Sequence, residues 1–282
     1  MRGRAALAAL LWLLSAGCRR SAEDDLVQGK NARFEQRHAE ALESYRRALD
    51  KLDRDGSPSA QVLRARALAG AAEVYDVELG DAKRAVEVYR ELMRACPESP
   101  EALSGRIRLA VLLKDRFDDA RGAIQVLNDA LARSPPESAE LRYRVASLYF
   151  TLGDYAQASL EGAEVARRYE ASAWVDDALF LQGQALQLRG KPREALAVFE
   201  ALAARFPDGE LRPLSLYEQG RVLSALGERD RAVAAWMEAL KAHPQPDVVR
   251  AELDRARQGV EAERAPALGR EEAFRGHGEK GR

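Results

Sequence analysis

Hydrophobic residues recur along most of the chain with the spacing of amphipathic helices, and these helical patterns come in pairs. The clearest pair runs from Asp176 to Pro207, where two helical patterns are joined by Arg189 to Pro192. A further apolar stripe of helical period follows Pro244 and carries Val248, Val249 and Leu253. Apolar residues that return every three or four positions indicate a helix that buries one face. The pattern therefore predicts an all-α chain of antiparallel helix pairs.

Signature residues of these pairs repeat along the sequence at a fixed distance. Four columns recur at a spacing of 37 residues: Gly153, Gly190 and Gly227; Ala158, Ala195 and Ala232; Ala146, Gly183 and Gly220; Tyr149, Leu186 and Leu223. A period of 20–50 residues that contains a helix pair indicates a repeat array, in which each unit buries its apolar face against its neighbours.

The unit resembles a tetratricopeptide repeat. The residues that carry the resemblance are a small residue in the first helix, a turn glycine, an alanine followed four positions later by an aromatic, and a closing proline: Gly183, Gly190, Ala195, Phe199 and Pro207, then Gly220, Gly227, Ala232, Trp236 and Pro244. The resemblance implies a right-handed α-solenoid of antiparallel helix pairs, with about six repeats and a C-terminal capping helix. Phe199, Trp236 and Tyr89 are expected in its core.

The boundaries follow from this register. The repeats are expected at residues 22–55, 66–99, 103–137, 139–172, 176–209 and 213–246, the capping helix at 247–264 and a disordered charged tail at 265–282. Ser21 and Asp24 have the spacing of a capping box that starts the first helix. Two repeats are irregular. Tyr75 stands one position before its column, and the segment from Asp115 to Asp119 replaces a turn glycine, which predicts a longer or irregular turn.

The N-terminus predicts export and lipidation. A basic start precedes an uncharged run of 13 residues from Ala5 to Gly17, which is shorter than the roughly 20 residues of a membrane span. The run ends in Leu14-Ser15-Ala16-Gly17-Cys18, which resembles a bacterial lipobox. Residues 1–17 are thus expected to be a lipoprotein signal peptide, and residues 18–21 a tether lipidated at Cys18. An ordinary signal peptide and an inner-membrane signal anchor are the alternatives. In the lipoprotein resemblance, Arg19 favours the outer membrane.

Composition and motifs argue against nucleic-acid binding and catalysis. The chain has 44 basic and 45 acidic residues and a net charge of −1, whereas general nucleic-acid binders are basic. The sequence contains none of the common metalloprotease, phosphate-binding or serine-hydrolase motifs. We therefore expect no enzymatic activity, cofactor, metal or small-molecule substrate. With Cys18 lipidated, Cys96 remains as a single cysteine, which is expected to be a small buried residue.

A second stripe on the first helices predicts where a partner binds. It lies about 100° around each helix from the core columns, and Tyr143, Phe180 and Tyr217 recur in it 37 residues apart. In tetratricopeptide families this stripe lines a groove for extended or helical peptides. The predicted binding residues are Tyr143, Phe180, Gln184, Gln187, Tyr217 and Arg221, with the rings stacked as an aromatic ladder. The alternative is that the rings only pack against neighbouring repeats.

These features together predict a membrane-tethered scaffold of the bacterial cell envelope, lipid-anchored and facing the periplasm. Its expected partners are envelope proteins or their peptide segments, and the membrane through the N-terminal lipid. The sequence resembles repeat lipoproteins of outer-membrane protein assembly and the repeat domain of the Tol–Pal-associated cell-division coordinator. A structural subunit of a secretion or motility machine, and an accessory that presents substrate to a partner hydrolase, remain alternatives.

Overall fold

The computed structural model describes residues 21–133 and 135–258, and every regular element within these ranges is helical. The chain divides into two compact units, of which unit 1 ends at Arg133 and unit 2 begins at Ser134. In unit 1 the helices are α1 (Ala22–Phe34), α2 (His38–Leu52), α3 (Pro58–Glu73), α4 (Ala82–Ala95), α5 (Pro100–Phe117) and α6 (Ala120–Leu131). In unit 2 they are α7 (Ser138–Thr151), α8 (Tyr155–Arg168), α9 (Val175–Leu188), α10 (Pro192–Arg205), α11 (Arg212–Ala225) and α12 (Arg229–Ala239), followed by helical residues 246–258, here α13.

Consecutive helices pack against each other, which confirms the predicted all-α architecture of helix pairs. Helix starts follow from local chemistry. The expected capping box at Ser21 is present, since its hydroxyl accepts from the backbone N–H of Asp24 while the Asp24 carboxylate accepts from the N–H of Ser21. These two bonds satisfy N–H groups that a helix leaves open at its first turn.

The turns inside the pairs are set by left-handed residues. Gly153, Gly190 and Gly227 have φ angles of 76°, 71° and 80°, which confirms their role at the helix ends. Between α5 and α6 the same role falls to Asp118, with φ 53°. The prediction of a longer or irregular turn there is wrong. Aspartate is one of the few residues that tolerates the left-handed region, so α5 and α6 are joined by Asp118 and Asp119 alone.

A π-helical segment explains the shifted register of the second repeat. Residues Val74–Glu78 continue α3 as a π-helix, which holds more residues per turn than an α-helix. The widened turn includes Tyr75, which explains its offset from the expected column. The same segment carries Asp76 and Glu78, whose contacts are described below.

Close approach at the core columns depends on glycine. A Cβ atom added to Gly183 would lie 2.5 Å from Cε1 of Phe199, and one added to Gly220 would lie 2.3 Å from Nε1 of Trp236. Both rings are almost fully buried, as is Tyr89, so their predicted core role is confirmed. The aromatic rings occupy the space left free because glycine has no Cβ atom.

The C-terminal helix covers part of this core. Val249 and Leu253 of α13 are buried in the same cluster as Trp236. Val248, expected on the buried stripe, is instead 40% exposed, because it lies beside the stripe and not on it. Residues 259–282, including the expected end of the capping helix and the tail, lie outside the described residues, as do the signal peptide and Cys18.

Candidate partner-binding surfaces

The first helices of the three pairs in unit 2 carry the predicted binding residues. Tyr143 is on α7, Phe180, Gln184 and Gln187 on α9, and Tyr217 and Arg221 on α11; these six residues are called the aromatic face below. Arg221 is exposed and the other five are partly buried. Each aromatic ring therefore combines a packed side with an accessible side.

The rings of the aromatic face do not stack on one another. Each has another partner: Tyr143 stacks on Trp174 with ring centroids 5.2 Å apart, Phe180 lies 5.9 Å from Phe199, and the Tyr217 ring lies 5.1 Å from that of His243. The expected ladder of mutually stacked rings is therefore wrong. Phe180 and Tyr217 contact rings of their own repeats, whereas Tyr143 contacts Trp174 at the start of the next helix pair.

The polar residues of the face differ in how they are satisfied. Arg221 donates to both carboxylate oxygens of Glu218, at 3.2 and 3.1 Å. The side chains of Gln184 and Gln187 have no hydrogen-bond partner within the described parts of the chain. Two partly buried amides thus remain able to bond a segment laid across α9. An amide that both donates and accepts suits a peptide backbone, which offers both groups.

Two acidic residues, Asp176 and Asp177, lie in the first turn of α9. The carboxylate of Asp176 accepts from the backbone N–H of Asp177 at 3.0 Å, and the N-cap residue Trp174 makes no side-chain cap. The half-buried carboxylate of Asp177 has no hydrogen-bond or ion-pair partner in the described ranges. Burial raises the pKa of Asp177, and the charges of Asp176 and Glu210 raise it further. Burial also raises the pKa of Tyr143, with Asp177 the next cause.

Unit 1 contains a cleft that sequence analysis did not identify. Its volume is about 600 Å³, and its walls come from α1, α2, α3, the π-helical segment and α5. Arg33 crosses it, with the guanidinium bonded to both Glu73 and Glu78. Phe34, at the mouth, is 90% exposed. The offset of Tyr75 in the sequence was a sign of this cleft. It reflects the π-helical segment, which positions Glu78 opposite Arg33.

The ionic network continues along the π-helical segment. Asp76 accepts from both the Nε and the Nη2 of Arg108, at 2.9 and 2.5 Å, and from the hydroxyl of Tyr89 at 3.4 Å. One oxygen of Glu78 is buried and has no donor among the described residues. Five of the six charged residues that line the cleft are held in internal ion pairs.

Comparison with known families establishes the family of this chain. Family models described as tetratricopeptide repeat match residues 26–100 and 109–174, and residues 177–209 and 214–246, well over half of the chain. The chain belongs to the tetratricopeptide-repeat family. A search of curated proteins finds no match.

Solved structures of similar fold include other tetratricopeptide-repeat proteins at low sequence identity. YrrB, described as a TPR protein with an unusual peptide-binding site, is 17% identical over 75% of this chain and 98% of its own, with a TM-score of 0.53. BtubC from P. vanneervenii gives a TM-score of 0.53 at 17% identity over 83% of this chain and 93% of its own. A repeat protein from Parabacteroides merdae gives 0.50 at 16% identity, over 83% and 98% of the two chains. At such identity the likeness concerns the fold alone.

Other chemistry in this tetratricopeptide-repeat protein is sparse. Cys96 is buried, as expected, and burial raises the pKa of its thiol, which makes it a weaker nucleophile. Within residues 21–133 and 135–258 no group of three or more acidic, histidine or cysteine side chains could hold a metal ion. Across those same ranges no helix combines the length and the apolar character needed to cross a bilayer.

Proposed function

We propose that this tetratricopeptide-repeat protein is an adaptor of the bacterial cell envelope that binds a segment of a partner protein on its aromatic face. The observation that carries the proposal is that the side-chain amides of Gln184 and Gln187 have no partner in the described residues. They lie on the same face as the partly exposed rings of Phe180, on α9, and Tyr217, on α11. Aromatic and arginine side chains are the usual anchors of protein interfaces, and this face supplies both. The fold supports such a role, because a solved structure of similar fold is described as having a peptide-binding site.

The proposal includes a lipid tether at Cys18. Acyl chains contribute about 0.8 kcal/mol for each buried CH₂, and two chains hold a protein stably on a membrane. Because Ser21 already caps α1, only Arg19 and Arg20 separate the acylated cysteine from the helix cap. An extended chain spans at most about 3.6 Å per residue, so the first repeat would begin about 10–15 Å from the bilayer.

The envelope process that we assign rests only on the sequence resemblance to envelope repeat proteins. We propose outer-membrane protein assembly or Tol–Pal-linked maintenance, with the protein anchored in the outer membrane and facing the periplasm. A structural subunit of a secretion or motility machine is the second candidate, and an accessory to a hydrolase is the third. In each case the chain binds protein segments and performs no catalysis itself.

Lipidation is tested by metabolic labelling with a fatty-acid analogue. The wild-type protein should carry the label, and Cys18→Ala should remain an unprocessed precursor or be released in soluble form. Cys96→Ala is the matched control and should be labelled like the wild type. An unlabelled wild-type protein overturns the tether.

Partner binding is tested with two variants of the aromatic face. Phe180→Ala with Tyr217→Ser removes two anchors, and Gln184→Arg with Gln187→Arg adds bulk without removing a core contact. Both should lose proteins that the lipidated wild type captures from detergent-solubilised envelopes, as identified by mass spectrometry. Leu160→Ala with Leu188→Ala, at exposed positions outside the face, is the control. Capture unchanged by the arginine variant counts against the face.

A further inference from the structure

The side chain of Tyr45 reaches the unit 1 cleft from α2, the helix behind it. Its ring lies between Gly29 of α1 and Gly70 of α3. A Cβ atom added to Gly29 would lie 2.7 Å from Cε1 of the ring, and one added to Gly70 would lie 2.9 Å from the hydroxyl oxygen. Tyr45 is 1% exposed, yet it lines the cleft together with Gly70. The ring is therefore buried between the helices, and its hydroxyl end meets the cleft beside Gly70.

This hydroxyl has no hydrogen-bond partner among the described residues. The corresponding aromatic side chains of two other repeats are satisfied inside the protein. The Tyr89 hydroxyl donates to Asp76 at 3.4 Å. Nε1 of Trp236 donates to the backbone carbonyl of Tyr217 at 3.1 Å. A buried polar group without a hydrogen bond costs free energy. The Tyr45 hydroxyl is thus a group that a ligand in the cleft would satisfy.

One end of the cleft carries an excess of negative charge. Arg33 is the shared partner of Glu73 and Glu78, so two carboxylates meet one guanidinium. The bond from Arg33 uses one oxygen of Glu73, whose side chain is 46% exposed. The second oxygen of Glu78 is buried without a donor in the described ranges. A cationic group that reaches Glu73 would balance this end.

The other end carries an excess of positive charge. Lys30 lies one turn before Arg33 on α1, and Arg66 faces the same part of the cleft from α3. Arg66 lies 3.7 Å from the carboxylate of Glu101, whereas Lys30 has no ion pair within residues 21–133 and 135–258. Two cations here meet one acid, so an anionic group would balance this end.

The Tyr45 hydroxyl lies between the two ends. Gly70, which is beside it, stands four residues after Arg66 and three before Glu73 on α3, so these residues share one helix face. The helix rises about 10 Å from Arg66 to Glu73, the length of about three residues of an extended chain. The cleft volume of about 600 Å³ is in the range of ligand sites. An extended segment with opposite charges about three residues apart is therefore complementary to the cleft.

We propose that the unit 1 cleft is a second binding site, which takes an extended polypeptide segment with one acidic and one basic side chain two or three positions apart. The acidic side chain pairs with Lys30 and the basic one with Glu73. A backbone group between them bonds the Tyr45 hydroxyl, because a polypeptide offers a donor and an acceptor at nearly every residue. The Phe34 ring at the mouth, 90% exposed, packs against an apolar neighbour. This site lies in unit 1 and does not depend on the aromatic face.

The test is a subtractive selection of displayed random heptapeptides on the complete, detergent-solubilised protein. The library is first depleted on the double variant Lys30→Glu with Glu73→Gln, which removes peptides that bind elsewhere, and is then selected on the wild type. Enriched peptides should carry an acid and a base two or three positions apart. A parallel selection on Lys30→Glu alone should enrich peptides with two basic residues, because that end of the cleft has become acidic.

Affinities of the synthesised binders test the individual contacts. Glu73→Gln should weaken binding by about tenfold or more, and Tyr45→Phe by about threefold to tenfold, as loss of a charged and of a neutral hydrogen bond does. The melting temperature of Tyr45→Phe should equal that of the wild type, since this hydroxyl bonds no described residue. Tyr89→Phe, at the corresponding tyrosine of the next repeat, and Glu87→Gln, exposed on α4, are the matched controls and should keep full affinity.

The outcomes separate this site from the aromatic face. Absence of enrichment after depletion, enriched peptides of a single charge sign, or binders whose affinity either Tyr45→Phe or Glu73→Gln leaves unchanged would each overturn the cleft assignment, and leave the aromatic face as proposed. Gln184→Arg with Gln187→Arg should not alter the affinity of these binders. Affinity lost in that variant would place the peptides on the aromatic face and would also overturn the cleft.

Discussion

At the scale of single residues, glycines set the distance between paired helices. Gly183 faces the Phe199 ring so closely that a methyl group would have to displace it. Alanine is intrinsically better than glycine inside a helix by about 1 kcal/mol, so helix propensity and packing make opposite predictions here. Packing dominates, because Phe199 is fully buried and cannot move into solvent.

Gly183→Ala should therefore lower the free energy of unfolding, by about 1–3 kcal/mol, the usual result of overpacking. Chemical denaturation followed by circular dichroism measures it. Gly56→Ala, at a position with no atom within 4 Å of an added Cβ, is the control and should be close to neutral. A stabilised Gly183→Ala protein would show that the helices can separate without cost.

Asp177 gives a second prediction at this scale, through pH. Burial, Asp176 and Glu210 raise its pKa above the ordinary value of 3.8 in the folded protein. A raised folded pKa means that the folded state binds the proton more tightly, so the charged form costs stability at neutral pH. Asp177→Asn should have a higher melting temperature than the wild type at pH 7, and the difference should shrink as pH falls through the folded pKa towards 3.8. A difference independent of pH would contradict this.

At the scale of elements, a buried acid joins α1 to α2. This acid is Asp25, whose pKa is lowered where that of Asp177 is raised. The Asp25 carboxylate is 1% exposed and pairs with Lys51 and Arg47. Burial acts to raise its pKa, but hydrogen bonds from Lys51 and Arg47 outweigh it and lower the pKa below 3.8. The pair therefore stabilises the folded state while the carboxylate is charged.

Asp25→Asn should cost about 1.5–3 kcal/mol at pH 7, the range for hydrogen bonds to charged groups. The cost should persist down to about pH 4 and vanish only as pH falls below 3.8 through the lowered pKa, the reverse of the trend for Asp177. Thermal melts across this pH range measure it, with Asp50→Asn, on the exposed side of α2, as the control. Equal melting temperatures at pH 7 would show that the contact contributes nothing.

The elements also show how far sequence could predict this molecule. Periodic glycines and aromatics predicted the paired helices and the core positions of Phe199 and Trp236, because those columns are fixed by local geometry. The π-helical segment appeared only as the offset of Tyr75, since one widened turn leaves no compositional mark. The ring partners on the aromatic face and the unpaired state of Asp177 depend on distances between elements, which no residue spacing encodes.

At the scale of the whole molecule, repeat arrays are stabilised by contacts between neighbours. Phe199 joins three helices of unit 2. Its ring packs against Gly183 of α9, while its backbone carbonyl, in α10, accepts from Ser215 and Gln219 of α11 at 2.8 and 3.0 Å. The residue is thus a point where neighbouring pairs depend on each other.

Phe199→Ala should destabilise unit 2 by about 3–5 kcal/mol, as large truncations in a core do. Amide hydrogen exchange read by mass spectrometry should rise in α9, α10 and α11 and remain unchanged in α1 to α4, because the effect passes only between neighbours. Phe34→Ala removes the same ring from a 90% exposed position and should leave both melting temperature and exchange as in the wild type. Exchange that rises equally in both units would mean that the chain opens as one cooperative body, and unchanged exchange would remove Phe199 from the core.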